Sequence, residues 1–240
     1  MNTDPAASLK VALLGYGKMG KIIEQISERH QVVIAEKYED VRPLKPGAES
    51  EAALRDVPVL IDFSVPDAVF GNVQAAAELK KNMVIGTTGW HSRLEDIRRL
   101  VQKSGVGIVY GNNFSLGVHI YYKIIKYAAG LFALFKEYDP FIEEAHHQFK
   151  KDAPSGTALV IQEMVTSAYR KPVPVSSIRA GFIPGTHSVG FDSRVDTVTL
   201  SHCARSREGF AEGAIIAARW IQSRSGIFSF TDVMDDLMRK

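Results

Sequence analysis

The sequence predicts an α/β protein with two sheets, a parallel one covered on both faces by helices and then a mixed, largely antiparallel one. Three observations carry that prediction. In the first half, apolar strands without polar alternation are separated by helices of a dozen residues, the pattern of a buried parallel sheet. The first of these strands runs into Gly15-Tyr16-Gly17-Lys18-Met19-Gly20 and then a helix. Beyond Phe114 the strands shorten and alternate, as in a sheet with one exposed face.

Val11 to Leu14 is the first strand, and Ile22, Ile23 and Ile26 mark one face of the helix that follows. The second strand, Val32 to Ala35, ends at Glu36. G-x-G-x-x-G alone is weak evidence, since glycines punctuate many loops. Here it follows a strand, opens a helix, and precedes by 16 residues an acid at a second strand end, which points to a dinucleotide site of the Rossmann type. Gly15 permits the tight turn, Gly17 lets a pyrophosphate approach the backbone, and Gly20 lets the helix pack close to the strand. Tyr16, Lys18 and Met19 complete that loop. Glu36 would accept hydrogen bonds from the adenosine ribose, whereas its neighbour Lys37 can meet a 2′-phosphate, so both NADH and NADPH are expected.

The Arg42-to-Glu51 stretch, with two prolines and Gly47, reads as a loop. Val59 to Phe63 is a strand and Pro66 to Leu79 a helix with proline at its start. Met83 to Ile85 is a strand, Ser92 the cap of a helix running to Val101, and Gly107 to Tyr110 a further strand. Two loops leave the same end of this sheet, Gly86-Thr87-Thr88-Gly89 and Gly111-Asn112-Asn113-Phe114-Ser115. Their small, hydroxylated and amide residues can approach a nicotinamide ribose and carboxamide closely.

In the second half, a helix from Leu116 to Leu134 leads to a strand over Asp139 to Ala145. The segment Glu144 to Thr157 follows, reading EAHHQFKKDAPSGT. Ser155 reads as the N-cap of the next helix, with Gly156 and Thr157 as its first residues. Backbone N–H groups at such a start carry the positive end of the helix dipole and seat a carboxylate or phosphate. The strand delivers His146, His147 and Lys150 to the same place. A histidine at a strand end is by itself more often a hydrogen-bonded core residue. The whole string, with two imidazoles beside a glycine-led helix start, points instead to chemistry on a small acid. The adjacent histidines fall on opposite sides of an extended chain, and no Cys, Asp or Glu at ligand spacing joins them, so no metal site is expected. His30, His91, His119, His187 and His202 are read as surface or core residues. Shorter strands follow around Ser177 to Arg179, His187 to Phe191 and Thr197 to Ala204, and the helix Phe210 to Ile221 returns to the first domain. The expected organisation is a dinucleotide-binding domain of residues 1–114 completed by 208–240, and a substrate-binding and oligomerisation domain of residues 115–207.

Composition limits the function classes. The chain has 240 residues, 45% hydrophobic and 23% charged, which is ordinary for a globular protein. A net charge of +2 is too slight to argue for nucleic acid or an anionic membrane as partner. The lone cysteine, Cys203, excludes an internal disulfide framework and reads as a small buried hydrophobe in a strand. The N-terminus, MNTDPAAS, has neither the basic nor the apolar part of a secretory signal, and no stretch reaches the ~18 apolar residues of a membrane span. The expectation is a soluble, cytoplasmic protein.

With a nucleotide fold at one end and EAHHQFKKDAPSGTA in the middle, the chain resembles the 4-hydroxy-tetrahydrodipicolinate (dihydrodipicolinate) reductases. The resemblance runs from LGYGKMG through VIGTTGW, GNNFSLGV and His-His-x-x-Lys to RAG…GTH and WI…SGIF. Arg179 and His187 lie in segments that take part in it, which also leaves them placed to line the site. It implies NAD(P)H-dependent reduction of 4-hydroxy-tetrahydrodipicolinate to tetrahydrodipicolinate, with loss of water, on the route to diaminopimelate and lysine. It also implies that Gly15, Gly17, Lys18, Met19 and Glu36 hold the adenine half of the cofactor, and Gly86 to Thr88 and Gly111 to Phe114 the nicotinamide half. His146 matches the family's proton donor and acceptor, and Lys150 its second proton donor. His147, Gly156 and Thr157 match the groups that bind the small dicarboxylate substrate. The resemblance further implies two hinges between the domains and a homotetramer made by the sheet domain. With a reference pKa near ~6.5, His146 is expected to relay a proton without strong perturbation. The rival readings are another Rossmann reductase of small amino acids and a non-catalytic nucleotide sensor. The sensor has no need to keep His146, Lys150 and the Gly156 turn together.

Overall fold

The computed structural model describes residues 8–39 and 41–239, so the N-terminal stretch read above for a signal lies, but for Ser8, outside the described residues. The chain forms two compact units, Met1–Leu116 with Arg207–Lys240, and Gly117–Ser206. Strand and helix alternate through β1 (Leu9–Leu14), α1 (Lys18–Ser27), β2 (Val32–Tyr38), α2 (Ala48–Ala53), β3 (Val59–Asp62), α3 (Pro66–Glu78), β4 (Asn82–Ile85), α4 (Leu94–Ser104) and β5 (Gly107–Tyr110). Next come α5 (Leu116–Phe132), β6 (Asp139–His146), α6 (Gly156–Tyr169), β7 (Val175–Arg179), β8 (Thr186–Asp192) and β9 (Thr197–Cys203). The chain ends with α7 (Glu208–Ile221), β10 (Gly226–Ser229) and α8 (Phe230–Leu237).

The first unit holds a six-stranded parallel sheet in the order β10-β5-β4-β3-β1-β2. Alternate strand residues serve two cores. Val11, Leu13, Ile61, Val84 and Val109 pack with Ile23 and Ile26 of α1 and with Ala214, Ile215 and Ala218 of α7. Ala12, Leu14, Leu60, Met83 and Ile85 pack with Val69 and Val73 of α3 and with Ile97 and Val101 of α4. Strands apolar on both faces are the signature of such a layer. The edge strand β2 departs from it, because Val33 and Ala35 face solvent.

Three local readings are corrected. The Arg42-to-Glu51 loop contains the start of α2, a helix of 6 residues, too short to show a period in the sequence. Ser92 does not cap α4. It lies in a 3₁₀ turn over His91–Arg93, beside buried Trp90, whose indole N–H donates to the Thr87 carbonyl at 2.8 Å. Strand β10 and helix α8 had no separate place in the sequence reading. The Ser229–Asp232 capping box that starts α8 was its available signal.

The second unit holds a four-stranded sheet in the order β7-β6-β8-β9, with β6–β7 parallel and the other two pairs antiparallel. Its core joins Val118, Tyr121 and Ile125 of α5 and Ile161 and Val165 of α6 to Ile142, Val189 and Phe191. In β9 Leu200 packs toward this core, while Thr197, Thr199, Ser201 and Cys203 are exposed. Cys203 is therefore not the buried hydrophobe expected; the alternation of an edge strand turns it outward. Among the described residues, no helix is long and apolar enough to cross a membrane.

The tightest approach in the first unit is at Gly213, where an added Cβ would lie 1.7 Å from the Phe114 carbonyl oxygen. Gly213→Ala improves helix propensity by about 1 kcal/mol, yet backbone cannot yield as a side chain does. The variant is expected to lose about 1–3 kcal/mol net in denaturant unfolding. An unchanged or raised midpoint would show that α7 can move away at no cost.

Candidate active site

In the first unit, β1 and β3 are neighbours although β2 intervenes in the chain, so the loops after them diverge at the topological switch point where ligands of such sheets bind. A cleft of about 500 Å³ opens there, lined by Gly15, Tyr16 and Gly17 after β1, Tyr38 and Glu39 at the end of β2, and Phe63, Ser64 and Val65 after β3. A second cleft of about 420 Å³ shares Phe63 and Ser64 and reaches Lys18, Met19, Gly86, Thr87 and Thr88. Gly15 has φ +85°, and a Cβ on it would meet the Phe63 carbonyl oxygen at 2.6 Å. A Cβ on Gly20 would meet the Gly15 oxygen at 2.6 Å. At Gly17, by contrast, no described atom lies within 4 Å of an added Cβ. That open space at the start of α1 fits a pyrophosphate held against the backbone.

The loops are fixed by a residue the sequence reading missed. Asp62, fully buried at the end of β3, accepts from Ser64 N (2.8 Å), Ser64 Oγ (2.6 Å), Asn72 Nδ2 (2.8 Å) and Thr87 Oγ1 (3.0 Å). Burial pushes its carboxyl upward, against those four donors. Thr87 thus supports the loop, while Thr88 is exposed. Asn112 is exposed as well, and Asn113 Oδ1 accepts the Ser115 N–H at 2.8 Å. Phe114 is buried against Phe230 and Phe63, ring centroids 4.6 and 6.3 Å away, so its side chain belongs to the core. At the β2 end Glu36 is paired with Arg42 at 3.0 Å. Lys37 is paired with Glu24 and lies 4.3 Å from the Tyr16 ring centroid. The cation expected to stand ready for a 2′-phosphate already has an acidic partner.

In the second unit the alternation of β6 turns Ile142, Glu144 and His146 to the helix-covered face. The antiparallel partner β8 sets His187 opposite Glu144, and the parallel partner β7 sets Arg179 beside His146. Glu144, buried at 2% exposure, is the hub. Its Oε1 accepts from Arg179 Nη2 at 2.6 Å and Ser155 N at 3.3 Å, and its Oε2 bonds to His146 Nδ1. Burial opposes its charge, but Arg179, Ser177 and His146 outweigh burial and hold its carboxyl at about 2. His146 titrates below its ordinary range, because burial and the nearby Lys150 and Arg179 cations outweigh Glu144. His187, its ring 5.1 Å from that of His146, is pushed down to about 4, chiefly by burial.

Glu144, His146 and His187 bring possible ligand atoms within 4.8 Å of one another. The expectation that no acid would join a histidine here is corrected, since strand alternation and cross-strand pairing bring together residues whose spacing conceals it. Arg179 adds a positive charge 2.6 Å from Glu144, which opposes a bound cation.

His147 points away from this cluster. Its ring lies 6.1 Å from that of exposed Phe149, and its Nδ1 finds no partner among the described residues. Ser155 caps α6, its Oγ accepting from Ala158 N at 3.2 Å. The Thr157 side chain bonds to the Tyr122 phenol, whose pKa is raised by burial. Lys150 Nζ lies 2.9 Å from Asp152 Oδ1. Asp152, held below the usual carboxylate range chiefly by Lys150, also accepts the Gly156 N–H. Lys150 and the helix start therefore grip one carboxylate together. Arg179 closes the ring by donating to the Asp152 carbonyl at 2.6 Å.

A doubly wound dinucleotide fold and, in the same chain, an anion-gripping turn beside a buried imidazole define a nicotinamide-dependent oxidoreductase. Comparison with known proteins narrows the class. Residues 9–114 match the family model of the dihydrodipicolinate reductase N-terminus, and residues 117–234 that of its C-terminus. The 4-hydroxy-tetrahydrodipicolinate reductase of Christiangramia forsetii is 35% identical over 96% of this chain and 100% of its own length. That of Rickettsia bellii is 34% identical over 92% of each. The dipicolinate-bound dihydrodipicolinate reductase of Paenisporosarcina sp. TG-14 superposes with a TM-score of 0.75 at 21% identity, covering 92% of this chain and 97% of that one, which shows the shared fold. The chain belongs to the dihydrodipicolinate reductase family.

Because Gly17 has open space around it, Gly17→Val should fold with near-normal stability while its branched side chain fills the room for the pyrophosphate. Calorimetry is expected to show loss of NADH binding. Near-normal NADH affinity in the folded variant would refute the assignment of this loop.

Proposed function

We propose that the protein reduces 4-hydroxy-tetrahydrodipicolinate to tetrahydrodipicolinate with NADH or NADPH, releasing water, in diaminopimelate and lysine biosynthesis in the cytoplasm. The observation that carries this reading is the bonded chain from His146 through Glu144 and Arg179 to Asp152, which Lys150 and the Gly156 N–H hold from two sides, so that a buried imidazole stands beside a two-sided grip on a carboxylate. The relatives named for this reaction and the dipicolinate held by the Paenisporosarcina enzyme support a cyclic dicarboxylate as the ligand.

When bound, a reduced nicotinamide supplies the hydride. The residues of the chain do the rest. One substrate carboxylate replaces Asp152 on the Gly156 and Thr157 helix start, and the other is taken by His147 and Lys150. The reduction consumes one proton besides the hydride, and dehydration needs another moved to the leaving hydroxyl. Lys150 donates, and His146, held neutral by its lowered pKa, accepts and returns a proton. Arg42 and Lys37, each already facing an acid, leave neither cofactor excluded.

Assembly follows from the same unit. Strand β9 is an edge whose outward residues are exposed, and such an edge and face are coverable by another copy. We infer a homotetramer through residues 180–204. A fully active monomer by light scattering at micromolar concentration would refute it.

The reaction is tested by steady-state turnover of substrate generated by the preceding synthase, with each cofactor in turn. Aspartate and homoserine serve as controls for the amino-acid dehydrogenase reading, and turnover of these alone would overturn the proposal. His146→Gln is expected to lower kcat by roughly 10²–10⁴-fold with little change in KM. Lys150→Ala should lower kcat and raise the substrate KM together, since it removes a donor and a carboxylate partner. Neither should change NADH affinity. A His146→Gln variant retaining more than about half of kcat, with chemistry limiting, would remove His146 from the proton path.

A further inference from the structure

We propose that Glu144 is the positioning residue of the proton-transfer site: its carboxylate fixes His146 as the Nδ1–H tautomer, leaving Nε2 to exchange the proton, and it anchors the turn that seats the substrate. The assignment rests on the function proposed above. It follows from counting donors. Each group on the Glu144 carboxylate other than His146 is a donor: the Arg179 guanidinium and the Ser155 backbone N–H on Oε1, and the Ser177 hydroxyl. An ionised carboxylate only accepts, so the imidazole nitrogen bonded to Oε2 must carry the hydrogen. The neutral ring then has its lone pair on Nε2.

The same carboxylate reaches the substrate seat. Ser155, which it holds through the backbone, is the cap of α6, and Arg179 spans from Glu144 Oε1 to the Asp152 carbonyl. The turn of Asp152 to Ser155 is thus tied at both ends to the group that orients His146. The groups facing His146 are Glu144 and Lys150 from its own segment, Arg179 from β7 and His187 from β8. Lys150 and Arg179 disfavour the imidazolium, as does burial, and His187 stays neutral above about pH 4. Glu144 is the group in this set that favours it, so its charge decides whether His146 can hold a proton at all.

Glu144→Gln separates positioning from mere support. Arg179 and Ser155 N–H require the amide oxygen on their side, which turns the amide NH₂ toward His146 Nδ1 and forces that nitrogen to accept. The neutral tautomer should switch to Nε2–H, while the seat keeps its hydrogen bonds. In ring-¹⁵N NMR of the full-length protein, with His146 assigned by its loss in His146→Gln, the wild type should show a protonated Nδ1 and the variant a protonated Nε2. The kcat should fall by roughly 10²-fold or more, with KM changed a few-fold at most, and the acidic limb of the kcat profile should move to lower pH. Added to His146→Gln, the Glu144→Gln change should cost less than a further 2-fold or so. A wild-type His146 with Nδ1 unprotonated overturns the proposal even if the variant does not fold. So does an unchanged tautomer in Glu144→Gln, or a loss that multiplies in full onto that of His146→Gln. The tautomer is read without substrate, so an error in the assigned reaction leaves that result standing.

Discussion

A carboxylate buried at the end of a strand has to be met by donors from wherever the fold can supply them, and Glu144 imposes that demand on the second unit. Leaving such a charge unpaired costs about 3–5 kcal/mol, a large share of the stability of any domain. Its partners come from three places: His146 two residues on, Ser177 and Arg179 on the parallel neighbour β7, and Ser155 from the turn into α6. Satisfying one charge therefore sets the register of β7 against β6, the course of the 147–155 segment and the orientation of the imidazole. The chemistry inherits a geometry that folding already requires.

Asp62 plays the corresponding part in the first unit. It ends β3 at the switch point and gathers Ser64, Asn72 and Thr87, so the loops after β3 and β4 hold one shape around the clefts beside the glycine loop. The two acids differ in electrostatics. Asp62 is met by neutral donors, and burial pushes its carboxyl up, whereas Glu144 faces a guanidinium and stays ionised. A neutral cage suits a loop meant to face an anionic dinucleotide, because it adds no net charge beyond the acid itself. The paired cation at Glu144 keeps that acid ionised beside His146, whose charged form it alone among the neighbouring ionisable groups favours.

The sequence was legible where a requirement is local. Gly15, Gly17 and Gly20 announce the turn after β1 because their spacing encodes close approaches of backbone, and Ser155-Gly156-Thr157 announces a helix start. The apolar runs of β1, β3, β4 and β5 reveal a layer covered on both faces. What stayed hidden depends on contacts distant in the chain. Arg179 and His187 reach Glu144 only through the pairing of β6 with β7 and β8, and no spacing in the sequence records that register. Thr87 and Phe114 lie in loops correctly placed at the ligand end of the sheet, yet their side chains turn to Asp62 and to the core. Cys203 looked buried because alternation tells which residues share a face but not which face is covered.

The acids around the cofactor and substrate groups share one logic. Lys150 with the Gly156 N–H holds Asp152, Lys37 holds Glu24, and Arg42 holds Glu36. Each of these three cations is already oriented by a carboxylate of the chain. Pairing of this kind restricts long side chains before binding, so less rotamer entropy remains to be lost when a ligand arrives. It also sets a threshold, since the incoming anion must compete with an internal one. A phosphate or a second ligand carboxylate can win by adding charge and hydrogen bonds, where a neutral group gains nothing by displacing the acid. For the substrate proposed above, a second carboxylate held elsewhere would make displacement of Asp152 from Lys150 and Gly156 an intramolecular event. The threshold an incoming anion must overcome here is thus set by residues that are themselves acidic.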